Sequence, residues 1–354
     1  MKKHKICKIL LVILAILLCV AFYELLGICI AYKKQPEVSN TTKKETKNGS
    51  WNECSENTER AVIIEKNPEA LLQRVRLIKN AKKEIILSTF AFQSDESGKL
   101  ILGALHDAAD RGVHIRLLVD GMESWIDMEG NPYFYGLSSH ENVEIKLYNK
   151  ANPLKPWKMM GRMHDKYLIA DGKRYILGGR NTYNYFLGDF PGHKNYDRDV
   201  LVVCDEPEKE NSVNQLSEYF ETIWNQEDSG YFHNNKKLAN RKSVKNAVLE
   251  LQNSYQKYFE ENKERICETD YTDETFETEK ITLVSNPIHT GSKEPVVWYQ
   301  LGELMKNAKN RVKIHTPYII CNDMMYNTWE EIAENVSDFS IMTNSVANNG
   351  NPFG

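Results

Sequence analysis

Met163-His164-Asp165-Lys166-Tyr167-Leu168-Ile169-Ala170-Asp171, followed by Gly178-Gly179-Arg180-Asn181, is the stretch around which this chain is organised. Its frame is HxKxxxxD and then GGxN. On extended backbone successive side chains alternate faces, so His164 and Lys166 point the same way. Ala170-Asp171-Gly172-Lys173 reads as a hairpin turn, because Asp and Gly tolerate the positive φ that a tight turn needs. Arg174 to Leu177 then returns as a second strand ending in two glycines. Without a Cβ, Gly179 lets backbone approach an anion closely, and Asn181 adds a short amide donor. His164, Lys166, Asp171 and Asn181 thus form a set suited to a phosphate diester. A lone His beside a Lys on a strand is usually a surface pair; the frame around this one argues for chemistry.

Arg162 through Lys166, Gly178 through Asn181, and Tyr196-Asp197-Arg198-Asp199-Val200 together resemble the phospholipase D superfamily, and most closely its bacterial cardiolipin-synthase-like branch. The resemblance runs from about Arg60 to the end of the chain. It implies an α/β fold: a phospholipase D-like mixed sheet flanked by helices and internally duplicated. It also implies phosphodiester exchange through a phosphohistidine on His164.

The bulk composition sets limits on function. A formal net charge of -4 over 354 residues leaves no basic footprint for nucleic acid, so none is expected as a partner. Seven cysteines without a CxxC pair make neither a disulfide scaffold nor a zinc site. Cys204, ending an apolar run, reads as a buried thiol; Cys54, Cys267 and Cys321 are available to pair if the chain is exported. There is no GxSxG elbow and no P-loop.

Ile9 to Tyr32 is almost unbroken apolar sequence interrupted by Glu24, long enough to cross a bilayer at about 20 residues per roughly 30 Å. Lys2, Lys3, Lys5 and Lys8 precede it, and Lys33 and Lys34 follow. That balance favours an uncleaved single-pass anchor (1–34) with the body outside, and the resemblance implies that the membrane is a bacterial cell membrane. The polar stretch 35–59 reads as a flexible linker. In 60–204, the first phospholipase D-like repeat, helices at Asn67 to Lys82 and Lys99 to Arg111 alternate with apolar strands at Glu84 to Phe90 and Val113 to Asp120. That alternation predicts a mainly parallel sheet covered on both faces. Val143 to Tyr148 and Asp199 to Cys204 add strands. Residues 205–282 read as a helical connector, with Tyr219, Trp224, Tyr255 and Tyr258 as packing residues.

The chain then repeats itself over 283–354. Leu77-Ile78-Lys79-Asn80-Ala81-Lys82 is echoed by Leu304-Met305-Lys306-Asn307-Ala308-Lys309, and Ile85 to Thr89 by Val312 to Thr316 at the same offset. The strand ending Leu118-Val119-Asp120 is echoed by Ile341-Met342-Thr343-Asn344. At the spacing separating Asp120 from His164, a second HxKxxxxD would fall beyond Gly354, so the second copy is expected to be truncated.

Phosphodiester exchange asks for a nucleophile, an acid for the leaving alkoxide, and cations around the phosphate. His164 is the expected nucleophile and Lys166 the cation; Asp171 is expected to orient an imidazole or stabilise its cation. Gly179, Arg180, Asn181 and Arg162 are candidate phosphate-binding residues. Trp157, Met159 and Met160 read first as core and second as an acyl entrance. No metal and no cofactor is called for. The resemblance assigns the acid to a second histidine, supplied from beyond the C-terminus or by a dimer partner; His193 and His315 lie in the wrong frame. The expected partners are the membrane and phosphatidylglycerol-like phospholipids, with cardiolipin synthesis the specific expectation. A dimeric nuclease or a catalytically incomplete anchored fragment are the alternatives.

Overall fold

A computed structural model describes residues 2–48, 59–207 and 211–345. Cys54, the 49–58 part of the expected linker and the closing stretch 346–354 lie outside the described residues. The chain divides into two compact units, one of residues 1–33, 52–283 and 288–291, the other of 34–51, 284–287 and 292–354.

The first unit begins with helix α1 (Lys2–Tyr32), whose Lys5–Tyr32 part is long and apolar enough to cross a membrane. Of the second unit, α2 (Asn40–Asn48) comes next. A helix here departs from the expected linker. The Ser39 hydroxyl accepts the Thr42 N–H, and Glu294 accepts both the Ser39 N–H and the Thr42 hydroxyl, satisfying the helix start.

The body of the first unit runs β1 (Arg60–Ile64), α3 (Asn67–Asn80), β2 (Glu84–Thr89), α4 (Glu96–Asp110), β3 (His114–Asp120), α5 (Glu123–Asp127), α6 (Pro132–Ser138) and β4 (Val143–Tyr148). The motif hairpin follows as β5 (Tyr167–Ala170) and β6 (Arg174–Gly178), then β7 (Asp199–Val203), α7 (Ser212–Trp224), β8 (Ser229–Tyr231), α8 (Lys242–Glu261), α9 (Lys263–Cys267) and β9 (Phe276–Glu277). Helix α4 starts with the Asp95 carboxylate accepting the Gly98 N–H and ends at Gly112, φ 88°.

These strands form one sheet in the order β8-β4-β3-β2-β5-β6-β7-β1-β9. The expected mainly parallel sheet is corrected here: parallel pairing is confined to β2–β3 and β3–β4, and every other pair is antiparallel. The reason is connection length. Helical crossovers join β2, β3 and β4, whereas β5 and β6 are joined by a tight turn, with Asp171 and Gly172 at φ 55° and 62°. Alternating strand residues feed two cores. Ile85, Leu87, Ile115, Leu117 and Leu168 pack against α3, α4, α6 and α8, while Ile86, Leu118, Tyr167 and Ile169 pack against α7. Each such side chain contributes roughly 1.5–3 kcal/mol of burial. The helices of the expected connector therefore cover this sheet, and β8 completes one edge.

The second unit holds α10 (Val296–Lys306), β10 (Arg311–His315), α11 (Asp323–Asn335) and β11 (Asp338–Met342), with β10 and β11 parallel. This reproduces the α3-β2-α4-β3 order at the duplicated residues.

Candidate functional site

His164 and Lys166 lie on the extended backbone that enters β5 beside the C-terminal end of β2. Three contacts fix that entry. The Met163 N–H donates to the Asp120 carboxylate at 3.0 Å, the Gly178 N–H donates to the Lys166 carbonyl at 3.1 Å, and the Met163 side chain is buried in the α7-side core. Asp120, wholly buried at the end of β3, also accepts the N–H groups of Met122 and Glu123, so one carboxylate ties α5 to the motif. Burial pushes its pKa up, opposed by Arg162 and these N–H donors.

Phe90, the residue after β2, is the floor of the site. Its ring lies 4.8 Å from the His164 ring, centroid to centroid, and the Lys166 ammonium stands 5.2 Å from the same centroid. Lys166 Nζ donates to the His164 carbonyl at 2.6 Å. Sequence reasoning missed both Phe90 and Asp120. The available signal was their position, each at the carboxyl end of a parallel strand, where ligand sites of open α/β sheets gather.

Electrostatics suit the two groups to different tasks. Desolvation, with the Lys166 cation adding to it, lowers the His164 pKa, so its exposed imidazole is neutral near pH 7. Desolvation lowers the buried Lys166 to about 8, against the opposing pull of Asp165, Asp197 and Asp120. Next to them, Asp165 accepts the Tyr219 hydroxyl at 2.8 Å, a link from α7 to the motif.

The other expected site residues separate into two groups. Asn181 is buried, and its side-chain oxygen accepts the Ala91 N–H at 3.1 Å, one residue after Phe90. Arg162 is half-buried two residues before His164, donating to the Asn149 carbonyl and approaching Asp120 at 3.4 Å. Arg180 does not face a ligand. It is fully buried, donating to Asn67, the carbonyls of Ile64, Glu65 and Asp197, and lying 3.2 Å from the buried Asp199, which Arg74 also meets at 2.9 Å. Arg180 is a cross-tie, because its fork of donors is used up by the chain.

The glycines follow the same logic. A Cβ at Gly178 would come within 2.0 Å of Asp199 Oδ1, and one at Gly179 within 2.1 Å of Asp197 Oδ2. They make room for the chain's own carboxylates. Asp171 sits at the far end of β5, whose four residues span about 13 Å at ~3.3 Å each. There its carboxylate accepts the N–H groups of Lys82, Lys83 and Glu84 at 2.9, 2.7 and 3.0 Å, closing the turn between α3 and β2. The structure thus leaves Asp171 out of the group around His164. His193 lies against Tyr185, with 5.7 Å between ring centroids.

A family model described as "Cardiolipin synthase, PLD-like domain" matches residues 74–224. An uncharacterized protein of Helicobacter pylori (strain ATCC 700392 / 26695) is 27% identical over 317 residues, 81% of this chain and 59% of its own length. The chain thus spans 59% of that relative. Cardiolipin synthase C of Escherichia coli (strain K12) is 30% identical over 154 residues, 40% of this chain and 31% of that protein. Among solved structures, phosphatidylserine synthase of Haemophilus influenzae Rd KW20 shares the fold, with a TM-score of 0.53 at 15% identity over 86% of this chain and 66% of that one. Over residues 74–224, within the large mixed sheet and its helices, the chain is thus similar to the phospholipase D-like domain of cardiolipin synthases.

Proposed function

We propose that the chain is a membrane-anchored phosphatidyltransferase that moves a phosphatidyl group through a phosphohistidine, with cardiolipin synthesis from phosphatidylglycerol-like lipids as the specific reaction. The observation that carries the reading is the neutral, exposed His164 imidazole beside the buried Lys166 cation on the shared Phe90 floor.

In the first step an imidazole nitrogen of His164 forms a bond to phosphorus while the bond from phosphorus to the head-group oxygen breaks. Lys166 and the Asn181 NH₂ stabilise the charge on the non-bridging oxygens. The leaving alkoxide takes a proton from an acid, a role given to a second histidine from a further motif, either in a longer chain or in a second copy. In the second step an acceptor hydroxyl gives its proton to that second histidine, now acting as base, and attacks phosphorus while the phosphorus–nitrogen bond breaks and frees His164. Helix α1 holds the domain at the bilayer where these lipids are found, with its N-terminal lysines inside.

The test is to incubate the full chain with phosphatidylglycerol vesicles and, in parallel, with single-stranded and duplex DNA. Acid-free quenching and mass spectrometry of the His164 peptide then look for a phosphatidyl adduct. Adduct and lipid exchange are expected with the native chain and neither with His164→Ala. Turnover that survives His164→Ala above background removes His164 as nucleophile, and cleavage of DNA without lipid exchange moves the assignment to a nuclease.

A further inference from the structure

We infer that the segment 150–161 is the surface by which the folded domain seats itself in the interfacial layer of an anionic phospholipid bilayer, delivering a lipid head group to the motif. This rests on reading α1 as membrane-embedded. The segment connects β4 to the motif, and its apolar side chains face outward: Leu154 is 78% exposed, Met160 59% and Trp157 46%. A core role for Trp157 and Met160 is thereby excluded. Lysines alternate with them, as Lys150, Lys155 and Lys158. Aliphatic side chains and an indole among lysines match an interface that is apolar on one side and anionic on the other.

The segment is held firmly at its base. The Asn149 side-chain NH₂ donates to the carbonyls of Lys158 at 2.7 Å and Gly161 at 2.8 Å, so its two ends are pinned together beneath an exposed tip. Lys158 is paired with Asp228 at 2.6 Å, whereas the ammonium of Lys155 points from an exposed residue.

Helix α1 identifies the occupant. It packs directly on this segment: a Cβ at Gly27 would come within 2.5 Å of Pro156 Cγ, and the Tyr23 hydroxyl donates to the Leu154 carbonyl at 3.1 Å. Both contacts fall inside the apolar run that ends at Tyr32, Tyr23 lying about 13 Å from that end at 1.5 Å per residue. The 28-residue run is about 42 Å long at 1.5 Å per residue against a hydrocarbon core of about 30 Å, so a bilayer over its N-terminal part ends near Tyr23, beside Leu154 and Trp157. Beside this segment lies a cavity of about 180 Å³ bordered by Lys150, Lys155, Lys158 and Arg162 and also by Glu227 and Asp228. Lys158 pairs with Asp228 there and Lys150 donates to the Tyr231 carbonyl, so Lys155 is the cation offered to a phosphate head group, and Arg162 precedes His164 by two positions.

The experiment uses the full chain reconstituted in vesicles of phosphatidylcholine alone or with phosphatidylglycerol, each with or without brominated acyl chains that quench indole fluorescence. The native spectrum minus that of Trp157→Phe isolates Trp157. Its emission is expected to fall at least about two-fold in brominated vesicles, more so with phosphatidylglycerol, and Leu154→Asn with Lys155→Glu is expected to remove most of that fall. Equal emission in brominated and unbrominated vesicles overturns the proposal. So does quenching that ignores both phosphatidylglycerol and the double variant, since proximity to α1 then accounts for it. Protection of Trp157 in detergent that grows with protein concentration overturns it in favour of a second copy on this face. His164→Ala is expected to leave the quenching unchanged, so a failure of the seat and a failure of the lipid chemistry are read separately.

Discussion

The two α/β copies have the same element order and unequal surroundings. In the first, β2 lies between β3 and β5, and α3 and α4 bury Leu71, Val75, Ile78, Ile101 and Leu105 almost completely. In the second, β10 pairs with β11 among the described residues, and the buried apolar cluster consists of Val312, Ile332 and Val336. The registers differ as well. Glu84 faces His114 in the first copy and Arg311 faces Asp338 in the second, so the second crossover is the shorter one. An α/β unit gains chemistry when a further strand joins its open edge. Strand β5 joins β2 and brings His164 to Phe90, next to the β3 end where Asp120 waits. His315, ending β10, is an exposed histidine without that frame.

Kinetics offer the strongest way to break this contrast. Relative to an active form, His164→Ala is expected to lower phosphatidyl transfer by at least about 10⁴-fold, whereas His315→Ala stays within about two-fold. Comparable losses from both would make the copies equal partners in catalysis. Stability gives the next largest difference. Arg180→Met leaves Asp199 short of a buried partner and is expected to cost about 3–5 kcal/mol. Lys313→Ala removes an exposed pair with Asp338 at 3.8 Å and is expected to stay within about 0.5 kcal/mol. Denaturation midpoints for the two variants measure it, and similar values would deny that the ion pairs of the first copy are structural.

Asp171 sharpens the contrast inside the first copy. Asp171→Ala is expected to cost about 1–3 kcal/mol, through three N–H groups left without their acceptor. The rate per folded molecule should remain within a few-fold, as active-site titration alongside a melting curve would show; a loss as deep as that of His164→Ala would return Asp171 to the chemistry. The smallest effect concerns pH. The rate should rise as His164 loses its proton, below its ordinary value of 6.5, and fall as Lys166 loses its own at about 8. Lys166→Arg keeps its charge, so the upper limb should move up by more than about one pH unit; a limb that stays near 8 belongs to another group. For stability the sign is opposite: the folded pKa of Lys166 lies below its ordinary 10.5, the unfolded chain binds more protons between the two, and stability rises with pH across that window.

Much of this was legible along the chain, and the reasons are local. Periodicity placed α3, β2, α4 and β3 within a few residues, because apolar spacing is set by the geometry of a single helix or strand. Asp171-Gly172 foretold the turn through backbone sterics. The duplication was visible because the two copies retain matching side chains at matching positions. Helix α2 was missed because its stability rests on Glu294, a residue far away in sequence. Strand β8 was missed because three residues carry no period of their own and pair only where β4 offers an edge.

By itself, the sequence determined the superfamily frame, the hairpin that presents His164 and Lys166, the apolar helix and the repeated α/β unit, since each depends on spacing or composition within a short stretch. Tertiary structure decided the allocation of roles. Arg180 and Asp171 carry the residue types of a phosphate site, yet one is used up by Asp199 and four other groups, and the other by a turn at the opposite end of β2. Phe90 and Asp120 carry no motif and still define the floor and the entry of the site. Which donor finds a ligand and which finds the chain depends on what distant segments bring within 3 Å, and no local pattern encodes that distance.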